Sequence, residues 1–263
     1  MARRLLDDMY VLHRHSTVPT HSFLNRQMPS FLPDEYTFKA RWVPGFAVLV
    51  PVAVFLAGLP IKGFVQDILT TFVIRTSCLV AVMFLLEVLI RRTSKRWIED
   101  VLFNHELSLP TTEFLLYGNA VLSKEMKASI REKAEAEFDI KFPTAHAERK
   151  NETLARKRIA EAVRLIRNSV GRGRRTHDYN IIYGFWRNLL GAAVIASVMA
   201  TGFAALAFFV FHIRWMGWTE LVLATLSVVI LLFRRPLLCG PAEEYAKCLL
   251  TEYAATKTER PTP

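Results

Sequence analysis

Three cysteines in 263 residues, Cys78, Cys239 and Cys248, are too few and too irregularly spaced to build a disulfide framework or a thiolate metal site. The seven histidines, His13, His15, His21, His105, His146, His177 and His212, are equally scattered and form no metal-ligand array. Also missing are a glycine-rich phosphate loop between strand and helix, a Ser nucleophile elbow, a helical zinc-protease motif and an RNA-binding signature. These absences argue against the common motif-bearing enzymes and against sequence-specific nucleic-acid binding. No catalytic residue, cofactor or metal is expected. Met1 to His15 is charged and lacks the apolar core of a signal peptide, so the first hydrophobic window is expected to serve as the insertion signal.

Acidic residues are also in short supply, 24 against 34 Lys and Arg, and the formal charge is +10. Yet 52% of the residues are hydrophobic and the mean hydropathy is +0.22. The two properties are segregated along the chain. Charge is nearly absent from four windows, Trp42 to Leu59, Phe64 to Ile90, Leu189 to Phe211 and Gly217 to Phe233. A hydrocarbon core of roughly 30 Å needs about 20 helical residues, and each window falls near that length. Short connectors, Pro60 to Gly63 and His212 to Met216, join the windows in pairs.

The expected fold is therefore all-α: a polytopic membrane protein with four transmembrane helices in two hairpins and a helical cytoplasmic insert. Lys and Arg number six in residues 1–41, twenty in 91–187 and five in 234–263, whereas the two outer connectors hold only Lys62 and Arg214. The positive-inside rule then places both termini in the cytoplasm of an integral inner (plasma) membrane protein of bacterial type. The corresponding divisions are an N-terminal arm (1–41), a first hairpin (42–90), a basic helical region (91–188), a second hairpin (189–233) and a C-terminal tail (234–263).

Within the second window Asp67, Thr71 and Arg75 recur every four residues and so share an arc of roughly 80° on a helix. A charge at the bilayer centre costs about 2.5–3.5 kcal/mol on insertion scales, so Arg75 is expected to face protein or water and to be paired. Asp67 and Glu220 are its candidate partners. An interhelical staple and the wall of a solvated pathway are both open readings. Glu87 is expected to pair with Arg91 and Arg92 at the membrane boundary. In the third window Ala192, Ala196, Ala200 and Ala204 make a column of small residues that lets helices approach closely, within one chain or between subunits of a homo-oligomer.

Between the hairpins, Pro110 with Thr111 and Thr112 is expected to open a helix running through Leu122. Ser123 is a candidate N-cap for a helix whose Met126, Ile130, Ala134 and Phe138 form one apolar stripe. Thr144 is expected to cap a longer helix, Ala145 to Val170, that packs on the previous one. Gly171 to Arg175 breaks that helix, and the aromatic and cationic segment His177 to Asn188 leads into the third window. In the tail, Ala242 to Ala255 reads as one amphipathic helix. In the arm, Arg3 to Leu12 reads as an element lying on headgroups.

Arg156, Lys157, Arg158, Arg172, Arg174 and Arg175 give the insert a basic surface suited to membrane lipid headgroups, an acidic protein or a nucleotide. The first functional expectation is a membrane assembly or sensor, ion-conducting as an oligomer and controlled by its cytoplasmic region. The alternative is a non-conducting adaptor that recruits a cytosolic partner. A lipid-modifying enzyme would have only Asn104, His105, Glu106, His177, Asp178 and Asn180 as acid-base material.

Overall fold

Apolar periodicity and small-residue spacing produce helices throughout: in the computed structural model no strand occurs among the described residues, which are 34–59, 72–170 and 174–256. Side chains of 72–80 and of 174 are outside that description. Residues 1–34 form a unit of their own, in which the expected Arg3 to Leu12 element lies outside the described residues; residues 35–263 form a second unit.

Helix α1 (Thr37–Gly58) is π-wound over Thr37–Trp42 and contains Pro44 and Pro51. Helix α2 (Phe72–Thr93) continues through a π-wound stretch, Ser94–Glu99, and a short turn, Asp100–Phe103. Then come α3 (Pro110–Glu113), α4 (Lys124–Phe138), α5 (Ala145–Lys150), α6 (Glu152–Val170), α7 (Arg174–Phe209), α8 (Arg214–Leu232) and α9 (Arg234–Ala255). Three helices are long and apolar enough to cross a membrane: Thr37–Gly58, Arg175–Phe209 and Arg214–Leu232. Of the second window, residues 64–71 lie outside the described residues and the remainder belongs to α2.

Helix α7 is the axis. At 36 residues it extends about 54 Å and packs against α1, α2, α8 and α9. Near its middle Gly191 is required by close approach, since a Cβ there would fall 2.9 Å from the Ile90 carbonyl oxygen and collide with Ser94. Further along, Ala192 joins Val48, Leu86 and Ile90 in one cluster, and Ala207 joins Phe55 and Met216 in another. Phe55 stacks on Phe203 with centroids 4.4 Å apart. The opposite faces of these helices expose Phe46, Phe84, Leu85, Val198, Phe209, Val222 and Leu226, a density of apolar side chains that water does not favour.

The first half of α7 belongs to a different core. Tyr183 and Leu190 pack with Ile98, Phe103, Leu115, Ile130, Ile159, Ile166, Leu238, Leu249 and Tyr253, uniting α4, α6, α7 and α9 in one helical body. Helix α9 crosses the centre of this body. Its Leu238, Ala246, Leu249 and Leu250 are fully buried, so the segment that the sequence sets apart as a tail shares the core of the central region. It also runs through Pro236 and Pro241 rather than starting at Ala242. Pro236 falls in the first turn, where its missing N–H costs nothing, and burial of the apolar face offsets the bond lost at Pro241.

Three local expectations change. The segment opened by Pro110 is helical only to Glu113, because the carbonyls and amides of the next residues bond to side chains of α4 and α5. The Ala145 to Val170 helix is broken at Asn151, whose side chain accepts from the Leu154 amide at 3.0 Å and caps α6. Glu87 pairs with Arg41 of α1 at 2.8 Å, since Arg91 and Arg92 point outward. By contrast, Ser123 and Thr144 do act as N-caps, accepting from Met126 N and Ala147 N.

Candidate functional site

The polar group inside the apolar helix cluster is Glu220. It lies on the second turn of α8, is 0% exposed, and neither carboxylate oxygen has a hydrogen-bond partner among the described residues. Of the residues expected to accompany it, Asp67 and Thr71 lie outside the described residues. Arg75 is in the first turn of α2, and its side chain is outside the description. Counting back from the basic ends, Arg75 stands 16 residues before Arg91 and Glu220 stands 14 before Arg234. These separations correspond to about 24 and 21 Å of helix.

Ala192, Ala196, Ala200 and Ala204 are all buried within one chain, at 0 to 4% exposure, while the neighbouring Thr201 and Ala205 are exposed. The small column is thus consumed by packing inside the molecule. It lets α7 approach its neighbours as closely as the Gly191 contact requires.

The basic residues divide into connectors and surface. Arg156 is a connector: it bonds Glu113 at 2.5 Å, Glu152 at 2.7 Å and the Leu107 carbonyl at 3.0 Å. Burial opposes its charge, but the two carboxylates hold its pKa above the ordinary guanidinium value. Lys157, Arg158 and Arg175 are exposed, and neither Lys157 nor Arg158 has an ion-pair partner among the described residues. Arg172 lies outside the described residues, and Arg174 begins α7. The loop expected at 171–175 thus already has its last two residues in a helix.

Of the acid-base material, Asn104, His105 and Glu106 follow one another with φ of 44°, 53° and 74°, a left-handed turn that re-aims the chain between α2's extension and α3. Glu106 is taken up by Lys95 at 3.2 Å and Arg164 at 2.8 Å. Burial raises its pKa, but the hydrogen bonds from Arg164 and Lys95 outweigh that and hold it below the ordinary carboxylate value. His177 faces the Tyr36 ring. Among the described residues no three His, Cys, Asp or Glu side chains meet as metal ligands would.

A second polar node was not legible in the sequence. Lys127, only 5% exposed, donates to the carbonyls of Leu116, Tyr117 and Asn119 at 2.9, 3.3 and 2.6 Å. Burial pushes its pKa down, and the nearby Arg131 adds to that. Arg131 donates to the carbonyls of Leu115 and of Pro143, lies 3.9 Å over the Tyr117 ring and pairs with Glu148 at 3.5 Å. Glu148 in turn accepts from the Tyr117 amide at 2.8 Å. Two cations on α4 and one acid on α5 thereby hold the irregular stretch after α3. Beside it opens a groove of about 550 Å³ bordered by Glu113, Tyr117, Asn119, Arg149 and Glu152. The only sequence signal was the placement of Lys127 and Arg131 four apart on α4, beside its apolar stripe.

Comparison of the chain with protein-family models, with curated proteins and with solved structures gives no match.

Proposed function

We propose that this chain is a four-span integral membrane protein, with α1, the second window ending in α2, α7 and α8 as its spans, and that it works as a membrane sensor or adaptor. Under this reading both termini and the helical body are cytoplasmic, and the membrane is the inner (plasma) membrane of a bacterium. The exposed apolar faces of α1, α2, α7 and α8 support membrane burial, and the Lys and Arg distribution supports the orientation.

One observation carries the sensor reading: α7 runs without a break from the core of the body, at Tyr183 and Leu190, to the far end of the apolar cluster, at Ala207. A helix buried at both ends passes a shift of one end to the other, because packed cores do not deform continuously. The basic face carrying Lys157, Arg158 and Arg175 then meets anionic headgroups, an acidic protein or a nucleotide. A homo-oligomer of this chain would meet through an outer face such as Thr201 and Ala205, since the alanine column is already occupied.

Glu220 favours a second reading, an ion-conducting assembly. A buried acid without a partner in an apolar helix cluster is costly and is a functional-site candidate by default. Ion flux through liposomes containing the full chain separates the two. The sensor reading expects no flux from the parent or from Glu220→Gln across several ions and voltages. Flux that depends on Glu220 would replace it with the conducting reading.

A further inference from the structure

Where the π-wound Ser94–Glu99 stretch, α3, α6, α7 and α9 meet, the body encloses a cavity of about 60 Å³, lined by Glu99, Thr111, Arg167, Asn180, Tyr183 and Arg187 among others. One water needs roughly 10–15 Å³ of such space, so the cavity has room for a few waters or for one small ion. Its wall is unbalanced in charge. Glu99 accepts from Arg187 Nη1 at 3.0 Å, whereas Arg167 has no carboxylate within ion-pair range among the described residues and lies over the Tyr245 ring, 5.9 Å from its centroid. Two guanidinium groups therefore share one carboxylate.

The hydrogen-bonding groups are unbalanced in the same direction. Nε of Arg167, Nε of Arg187, the Tyr183 hydroxyl and the Thr111 hydroxyl are all buried with no protein partner. Thr111 is 3% exposed and Tyr183 is 7% exposed. An arginine Nε–H can only donate, and each hydroxyl has a proton to give. A wall with four donors to spare and one positive charge in excess lacks an acceptor that is negative.

We infer that this cavity binds one small monovalent inorganic anion, of the size of chloride. Water would satisfy the donors but leave the buried charge uncompensated, and an uncompensated buried charge is the costlier defect. A monovalent anion corrects both, and it brings the wall to neutrality where a divalent one would overshoot. The volume excludes a nucleotide or a lipid headgroup with its glycerol. The site lies between four elements far apart in the chain, so the anion would brace the junction of the body with the base of α7.

The test uses the full chain purified in detergent, with sodium chloride titrated against sodium gluconate at constant ionic strength. Gluconate is too large for the cavity. The thermal midpoint should rise saturably with chloride by about 2–4 °C, and the 35Cl resonance should broaden in the presence of the protein. Arg167→Gln removes the excess charge and should abolish both responses, with a midpoint in gluconate at or above that of the parent. Thr111→Val keeps every charge and should raise the half-saturating chloride concentration at least about tenfold, which keeps the question answerable should Arg167→Gln not fold. Equal midpoints in chloride and gluconate, without 35Cl broadening, would mean that water fills the cavity. A chloride response unchanged in Thr111→Val would place the anion elsewhere. Either result overturns the assignment.

Discussion

The helical body and the apolar helix cluster bury polar groups in opposite ways. In the body, Lys127, Arg131 and Glu148 are nearly inaccessible, and each of them bonds to backbone of the irregular stretch that follows α3. In the apolar cluster the close contacts are made by Gly191 and the alanine column, and the single buried acid, Glu220, has no partner among the described residues. Charge inside the body therefore acts as a connector that fixes backbone no helix could satisfy. Charge inside the cluster contributes nothing visible to packing. A residue of the first kind is expected to stabilise the fold and one of the second kind to cost stability, so the sign of a substitution distinguishes them.

The largest effect should come from the connector. Arg131→Met strips the Leu115 and Pro143 carbonyls of their donor and leaves Glu148 without its counter-charge. Breaking a buried pair from one side costs about 3–5 kcal/mol. The thermal midpoint in detergent should fall accordingly, and a midpoint within a degree of the parent would remove the distinction between the regions. Next in size is the alanine column. Ala200→Leu adds three carbons at a site with 0% exposure, and overpacking costs about 1–3 kcal/mol. If the column packs within the chain, the variant loses stability with its mass in detergent unchanged; a change of oligomeric state at constant stability would reassign that face to a subunit contact.

Glu220→Met tests the opposite sign. Methionine fits irregular space of similar volume, and removing a polar group that is buried without a partner should raise stability by about 1–3 kcal/mol. A loss of stability would show that Glu220 has a structural partner, for which Arg75 is the candidate at similar depth along α2.

The fold was legible where the local pattern and the tertiary structure agree. Ser123 and Thr144 cap the helices that follow them, and Ile130 and Ala134 face the core as their spacing requires. It was misread where distant side chains override local rules. The apolar stripe from Ala155 to Ile166 continues the pattern of the preceding helix, and nothing in that periodicity announces the break at Asn151. Pro236 and Pro241 read as breakers, yet α9 runs through both because its face is buried by α4, α6 and α7. The site was less legible still. Glu220 could be picked out as an acid in an apolar window, but the anion cavity joins Glu99, Arg167 and Arg187, which share no spacing and meet only in the fold.

The smallest expected effect lies at the surface of the body and asks whether connectors must be buried to matter. Glu106 is held by Lys95 and Arg164, both well exposed at 57% and 63%. Burial alone would raise its pKa, but those hydrogen bonds keep the folded value below the ordinary 4.5. Because the folded pKa is the lower one, the stabilisation is fully present above about pH 4.5 and is lost as the pH falls through the folded value. Solvent screening limits it to about 0.2–1 kcal/mol. Glu106→Gln should therefore lower the midpoint slightly at pH 7 and converge with the parent below the folded pKa of Glu106. A gap between the two that persists or widens in acid would mean that Glu106 acts through the left-handed turn at 104–106 rather than through its charge. The surface ion pairs would then rank with neither the buried connectors nor the idle acid.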